Sequence, residues 1–430
     1  VVLSVPEGAQ ARPGVRFDPE AATEAWLATV PPEARARSDA YFEGGYWLQP
    51  LDTLVGAGVM LLLLATGLSR RMRERAERVS RHGAVQTFLY WVQYLAVTTA
   101  LSFPLAVYTD FVREHRFGLS TQTFAAWAGE QAKGLAVSAL LGGLFVTALY
   151  GVVRRSPRAW PVWGAATALV FMAVSVALGP VFIAPLFNTY SRLEEPSLRE
   201  PILRMARANG VVAEDVFVSD ASRQSTRISA NVSGMLGTER ITLNDNLLRR
   251  TSPEEVQAVM GHELGHYVLN HVYEMLLFLA VVLVAGFALL RTGFERAQAR
   301  WGARWGVRGV GDPAGLPLVV LLLSLYGAAL APLFRSFVRT NEMEADVFGL
   351  NAARQPDAFA QVSLRLGEYR KLAPGPLEEW FYFDHPSGRT RILTAMRWKA
   401  AQLEAQRAAP AVPPVPPAPA PQGTAAEPAP

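Results

Sequence analysis

Apolar residues in this chain come in long runs divided by polar stretches, and six of the runs can cross a bilayer as helices. A helix rises about 1.5 Å per residue and must cover about 30 Å of hydrocarbon, so roughly 20 apolar residues suffice. The runs are residues 51–69, 84–109, 134–153, 159–191, 275–290 and 313–334. Asp52 is the only charge in the first, at its edge, and Pro104 predicts a kink in the second. The fourth is longer than a span needs, and Pro180 and Pro185 are expected to end or bend it near the surface. The fifth is short alone, but a helical pattern extends upstream of it.

Two polar regions remain, 192–274 and everything from Arg335 onward. Two spans lie between them, so both emerge on the same side. The expected organisation is a lead-in (1–50), four spans (51–191), a catalytic subdomain (192–274), two spans (275–334) and a C-terminal part of the site (335–407). Residues 408–430 are almost wholly Ala and Pro and are expected to be disordered and semi-extended. The lead-in has no run long enough for a signal core or a span. Phe217-Val218, the alternating 228–236 and 240–243 read as short strands, with a Gly237-Thr238 turn before the last.

Composition agrees with a membrane protein: half of the 430 residues are apolar. Cysteine is absent, which excludes a disulfide framework and thiol chemistry. Arginines cluster after spans one (Arg70 to Arg81), three (Arg154, Arg155, Arg158) and five (Arg291 to Arg308). Such clusters are topology signals rather than a nucleic-acid surface, and positive-inside logic makes that face cytoplasmic. Both polar regions would then lie on the other side.

Within the first polar region, Thr251 to Arg291 reads as one helix. Ser252 is its N-cap, Pro253 suits the first position and Glu255 completes a capping box. It carries His262-Glu263-Leu264-Gly265-His266, whose two histidines, four apart, share a helix face and can meet one ion. Glu263 beside them is placed to take a proton from water. A catalytic zinc needs a third protein ligand. His266 lies nine residues before Met275, about 14 Å beyond the apolar edge, and Glu342 lies eight residues past Phe334 at a comparable height. Glu342 is therefore the expected third ligand. Asp346, four residues on, is expected to orient a ligand histidine. Glu344 points elsewhere and is expected in solvent. His271, nine residues after His262, falls about 180° off the ligand face and reads as a polar residue at the membrane edge.

These residues resemble the type I CAAX prenyl endopeptidases and their bacterial relatives, the HtpX-like zinc membrane metalloproteases. The resemblance runs through most of the chain. It takes in Val30-Pro31-Pro32-Glu33, then 183–188, then Arg240-Ile241-Thr242-Leu243, the His262 to His266 motif, Glu342-Met343-Glu344-Ala345-Asp346, and His385-Pro386 with Arg391. It implies Glu342 as third ligand, His385 as a stabiliser of the oxyanion and Arg391 as support for the site. It also implies seven helices around an intramembrane chamber, so that a further helix is absent or lies upstream of Val1. On the substrate-side strand Ser229-Ala230 replaces the family's frequent Asn-Ala; Ser229, Ala230 and Asn231 are the expected peptide-docking residues. The family's cytosolic catalysis opposes the side given by the arginine count, so the side stays open.

The fold class expected is a mainly α-helical polytopic membrane protein with a small α+β zinc-metalloprotease subdomain, in a bacterial inner membrane. One Zn2+ per chain, a peptide or protein substrate that is lipidated or membrane-embedded, and the bilayer are the expected partners, with no nucleic acid. A CAAX-protease-like endopeptidase is the expected function. The alternatives are a membrane-protein quality-control protease that ignores prenylation, and a metal-holding scaffold without turnover.

Overall fold

The computed structural model describes residues 2–233 and 240–408. The expected Gly237-Thr238 turn and the tail from residue 409 lie outside them. Among the described residues, six helices are long and apolar enough to cross a membrane, one for each expected run: Pro32–Ala65, Gly83–Arg116, Phe124–Arg155, Trp160–Leu186, His271–Trp305 and Pro313–Ala353. Side chains such as Val170, Val174, Leu277, Val281 and Leu289 stand exposed along them, as a lipid-facing surface requires. The chain is a multi-pass membrane protein.

Five of the six helices are longer than their apolar runs, and the fourth, Trp160–Leu186, ends short of the expected 159–191. The first starts at Pro32, whose ring suits a first helical position, so the Val30 to Glu33 segment opens the span rather than closing a separate lead-in. Pro104 precedes a π turn at Val107–Val112, and Pro180 lies within another at Gly179–Ile183. Proline lacks the N–H that an α-turn needs, so both sites are places where the α-helical ladder is locally irregular.

The connections sort into two ends. At one, Arg73 meets Asp312 at 2.5 Å with both side chains buried, and Arg291 donates to the Arg158 carbonyl at 3.0 Å. The three arginine-rich connections therefore gather together. At the opposite end Arg227 pairs with Glu114 at 2.7 Å, and the rings of Tyr46 and Tyr382 stack with centroids 3.8 Å apart. That end gathers the start of the first span, the second connection and both polar regions, as the even span count required.

Two expectations fail in the same stretch. The helix expected across 251–291 is broken: Pro253–Val268 ends, Asn270 takes a left-handed conformation (φ 63°, ψ 28°), and His271–Trp305 begins anew. Asparagine is among the few residues that adopt that conformation readily. The charged segment after Leu290 is helix rather than loop as far as Trp305. Arg291 and Glu295 pair along its face at 3.0 Å, and Gly306 (φ 68°) provides the left-handed stop.

Four strands form a mixed sheet in the order β1-β2-β4-β3: β1 Tyr190–Arg192, β2 Val216–Ser219, β3 Ala230–Ser233 and β4 Arg240–Asn244. β2 and β4 are parallel, and β1 and β3 are antiparallel edges. β1 was not anticipated, because three residues carry no readable alternation. Val216, Ile241 and Leu243 from the sheet, Ile202 and Leu203 from the preceding helix, and Val256, Met260 and Leu264 from the motif helix form one buried core. The last three recur every four residues, so one face of the motif helix is anchored to the sheet.

Candidate active site

The motif helix divides its surface three ways. Its start is fixed by the expected capping box: Ser252 N–H donates to Glu255 Oε2 at 2.8 Å, and Glu255 N–H to Ser252 Oγ at 3.3 Å. Val256, Met260 and Leu264 hold the sheet. Gly261 and Gly265 hold the sixth long helix at a close crossing. A methyl group on Gly261 would stand 2.9 Å from the Gly349 carbonyl oxygen, and one on Gly265 3.1 Å from Ala345 Cα. Small residues four apart on both helices permit this approach, as they do between membrane helices generally. The third face carries His262 and His266, and the crossing delivers Glu342 to them.

His262 Nε2 and His266 Nε2 are 3.1 Å apart; Glu342 Oε2 is 3.2 Å from the first and Oε1 is 3.4 Å from the second. One ligand atom from each of the three residues lies within 4.8 Å of the others. The arrangement fits a cation better than a hydrogen-bond network. Two neutral imidazoles aiming nitrogens at one point cannot satisfy each other and a carboxylate at once, and among the described residues the buried Glu342 Oε2 has no well-directed hydrogen bond. Burial disfavours charge on His262, but the Asp346 and Glu342 carboxylates outweigh it and push its pKa up to about 10. A cation would replace that proton. Two imidazoles and a carboxylate are donors suited to zinc.

The surrounding contacts follow. Asp346 Oδ1 lies 2.7 Å from His262 Nδ1, and Arg391 grips the same carboxylate with two donors, at 2.9 and 2.6 Å. Asp346 and Arg391 are both buried, so each charge is paired. His385 Nε2 lies 3.3 Å from Glu342 Oε2, and its Nδ1 is 2.8 Å from Asp384 Oδ1. Burial pushes the Glu263 carboxyl above its usual range, against the pull of both motif histidines. Glu263, His262, His385 and Arg391 line a cavity of about 250 Å³ together with Ser229 and Ala230. Glu263 also borders a second, apolar pocket toward the membrane, walled by Met172, Val176, Leu276, Leu279 and Val338.

Asn231 is exposed and is not among the cavity's lining residues. The Asn244 N–H donates to the Ser229 carbonyl at 2.9 Å. In an antiparallel ladder the pairing then alternates, so the backbone groups of Ser229 and Asn231 face β4 while those of Ala230 and Val232 face away from it. Two contacts were missed from sequence. His271, expected at the membrane edge, is buried with its Nδ1 2.9 Å from His266 Nδ1. Glu344, expected in solvent, is half-exposed but lies 3.3 Å from His271 Nε2. Helical phase across Asn270 gave the wrong answer because the helix resets there; the asparagine itself was the available signal.

Comparison with known proteins agrees with this architecture. Residues 192–399 match the family described as Peptidase family M48, and residues 20–189 match the CAAX prenyl protease N-terminal region of five membrane helices. Four of the six candidate spans fall in that second match, one fewer than its description. An uncharacterised metalloprotease of Bacillus subtilis, YhfN, is 28% identical over 345 residues, 80% of each chain. A CAAX prenyl protease 1 homolog of rice is 30% identical over 297 residues, 66% of this chain and 67% of its own. CAAX prenyl protease 1 of Saccharomyces cerevisiae is 26% identical over 314 residues, 69% of each. The fold is that of S. mikatae Ste24p, with a TM-score of 0.72 at 22% identity over 85% of this chain and 89% of that one. By motif order, fold and matched length, this chain belongs to peptidase family M48, as a membrane metalloprotease of the CAAX prenyl protease type.

Proposed function

We propose that the protein is a zinc-dependent endopeptidase in which His262, His266 and Glu342 hold one zinc ion and Glu263 is the general base. The observation that carries this is the meeting of those three ligand side chains beside a cavity that Glu263 shares with an edge strand. Zinc there would supply Lewis-acid polarisation of the scissile carbonyl and acidify water. Glu263 takes the proton of the attacking water and returns it to the leaving amine. His385, held by Asp384, donates toward the oxygen that gains charge in the transition state. Asp346 fixes the ring of His262, and Arg391 fixes Asp346.

A substrate in extended form would add to β3 through the Ala230 and Val232 backbone, with Ser229 and Asn231 beside it. The apolar pocket on the membrane side of Glu263 favours substrates that are lipidated or embedded in the bilayer. The named relatives point to CAAX-type prenylated C-termini; a quality-control role on unprenylated membrane proteins is the second reading. We place the protein in a bacterial inner membrane; the arginine count puts the arginine-rich end toward the cytoplasm, the family resemblance puts the catalytic end there, and labelling of single cysteines decides between them.

The test is cleavage of a farnesylated CAAX peptide and an unlipidated control by purified wild type and Glu263→Gln. Cleavage by wild type alone, stopped by a chelator, supports the hydrolase, and the peptide pair reads the need for lipid. Equal inertness of both proteins with zinc bound would favour a metal-holding scaffold instead.

A further inference from the structure

The two motif histidines are oriented by different devices. His262 has a carboxylate behind it, Asp346, itself clamped by Arg391. Behind His266 stands another imidazole. His271 Nδ1 lies 2.9 Å from His266 Nδ1, the rings meet edge to face with centroids 5.0 Å apart, and His271 Nε2 lies 3.3 Å from Glu344 Oε2. His271 is only 5% exposed. A polar ring buried at the head of a membrane helix is costly unless its nitrogens are occupied, and here both have partners.

We propose that His271 is a positioning residue: it accepts the Nδ1 proton of His266 and thereby holds that ring with its Nε2 lone pair aimed at the metal. This rests on the reading of His266 as a ligand. The proton assignment then has one solution. His266 Nε2 faces the cage, 3.4 Å from Glu342 Oε1, and must be bare to bind a cation. Its proton sits on Nδ1 and is donated to His271 Nδ1. That nitrogen is then the acceptor, so the His271 proton sits on Nε2 and is donated to Glu344. The carboxylate draws on the far end, making His266 a better electron donor, as a carboxylate behind a ligand histidine does directly.

The fold brings this about through the break. On an unbroken helix, residue 271 would stand about 140° round from residue 266 and could not reach it. The left-handed turn at Asn270 (φ 63°) resets the phase, so the same residue that redirects the chain into the membrane folds His271 back onto His266.

The test is zinc affinity of the full-length protein by chelator competition, with visible spectra after cobalt substitution as a second readout. His271→Leu keeps bulk and removes the acceptor; His271→Asn places an amide oxygen near the lost Nδ1. We expect His271→Leu to bind zinc about 10- to 100-fold more weakly with an altered cobalt spectrum, and His271→Asn to recover most of the loss. Glu344→Ala, at a half-exposed site that the fold does not need, should weaken binding in the same direction by up to about tenfold, and decides the matter if His271→Leu does not fold. Unchanged zinc affinity in His271→Leu, or His271→Asn as defective as His271→Leu, overturns the proposal. Wild type that binds no zinc overturns the metal reading itself.

Discussion

Replacing Gly349 with alanine should disable the site without touching a proposed ligand. Gly349 sits where the Glu342-bearing helix crosses the motif helix, and a methyl group there would stand 2.7 Å from the backbone nitrogen of His262. Ordinary contact begins near 3.4 Å, and the obstacle is backbone of a helix anchored on the sheet, so no side chain can swing aside. The helices must part by about 0.7 Å or more, at a cost of about 1–3 kcal/mol. Glu342 lies two turns away on the same rigid helix and moves with it. Misplacing a catalytic group by about 1 Å can cost about 100-fold in rate, so kcat/KM for the peptide substrate should fall by about that factor. Zinc affinity should fall with it. Gly327→Ala is the control, since a methyl group there meets none of the described residues within 4 Å, and it should leave activity and stability unchanged or slightly raised. Wild-type activity and zinc affinity in Gly349→Ala would refute the claim that this crossing sets the ligand geometry. Equal damage in Gly327→Ala would show that glycine replacement in this helix acts by some other route.

Three further outcomes are expected. Glu263→Gln should retain zinc while kcat for the peptide drops about 100- to 10,000-fold, the range for losing a general base; full activity would remove Glu263 from the mechanism. Arg391→Met leaves the buried Asp346 carboxylate without its two-donor partner and should destabilise the protein by about 3–5 kcal/mol in thermal or denaturant unfolding, whereas Asp346→Asn/Arg391→Met together should recover part of it. Because the chain has no cysteine, single cysteines at Arg81 and at Arg370 report sidedness cleanly. With the arginine-rich end cytoplasmic, only the second should react with an impermeant maleimide on intact cells made permeable at the outer membrane; the reverse pattern places the site in the cytoplasm.

The spans were legible because hydrocarbon thickness dictates run length, and the two faces followed from counting them. The convergence of His262 and His266 was legible because a helix repeats every 3.6 residues, and that of Glu342 because two neighbouring spans end at matching heights. What escaped depended on where a helix stops. The break at Asn270 hid His271, since phase arithmetic holds only along an unbroken helix. The helix through the charged 291–305 stretch was missed because the apolar run ends at the membrane edge while the hydrogen-bond ladder does not. The Gly261 and Gly349 crossing could be seen only once the partner helix was in place. A lone glycine spacing does not say what it packs against.

The most direct test of the account is the zinc content of the purified protein, wild type against Glu342→Gln and His262→Ala. One zinc per chain in wild type and loss from both variants is the predicted result. Wild type without zinc, or zinc retained in full by both variants, would contradict a metal centre built from His262, His266 and Glu342.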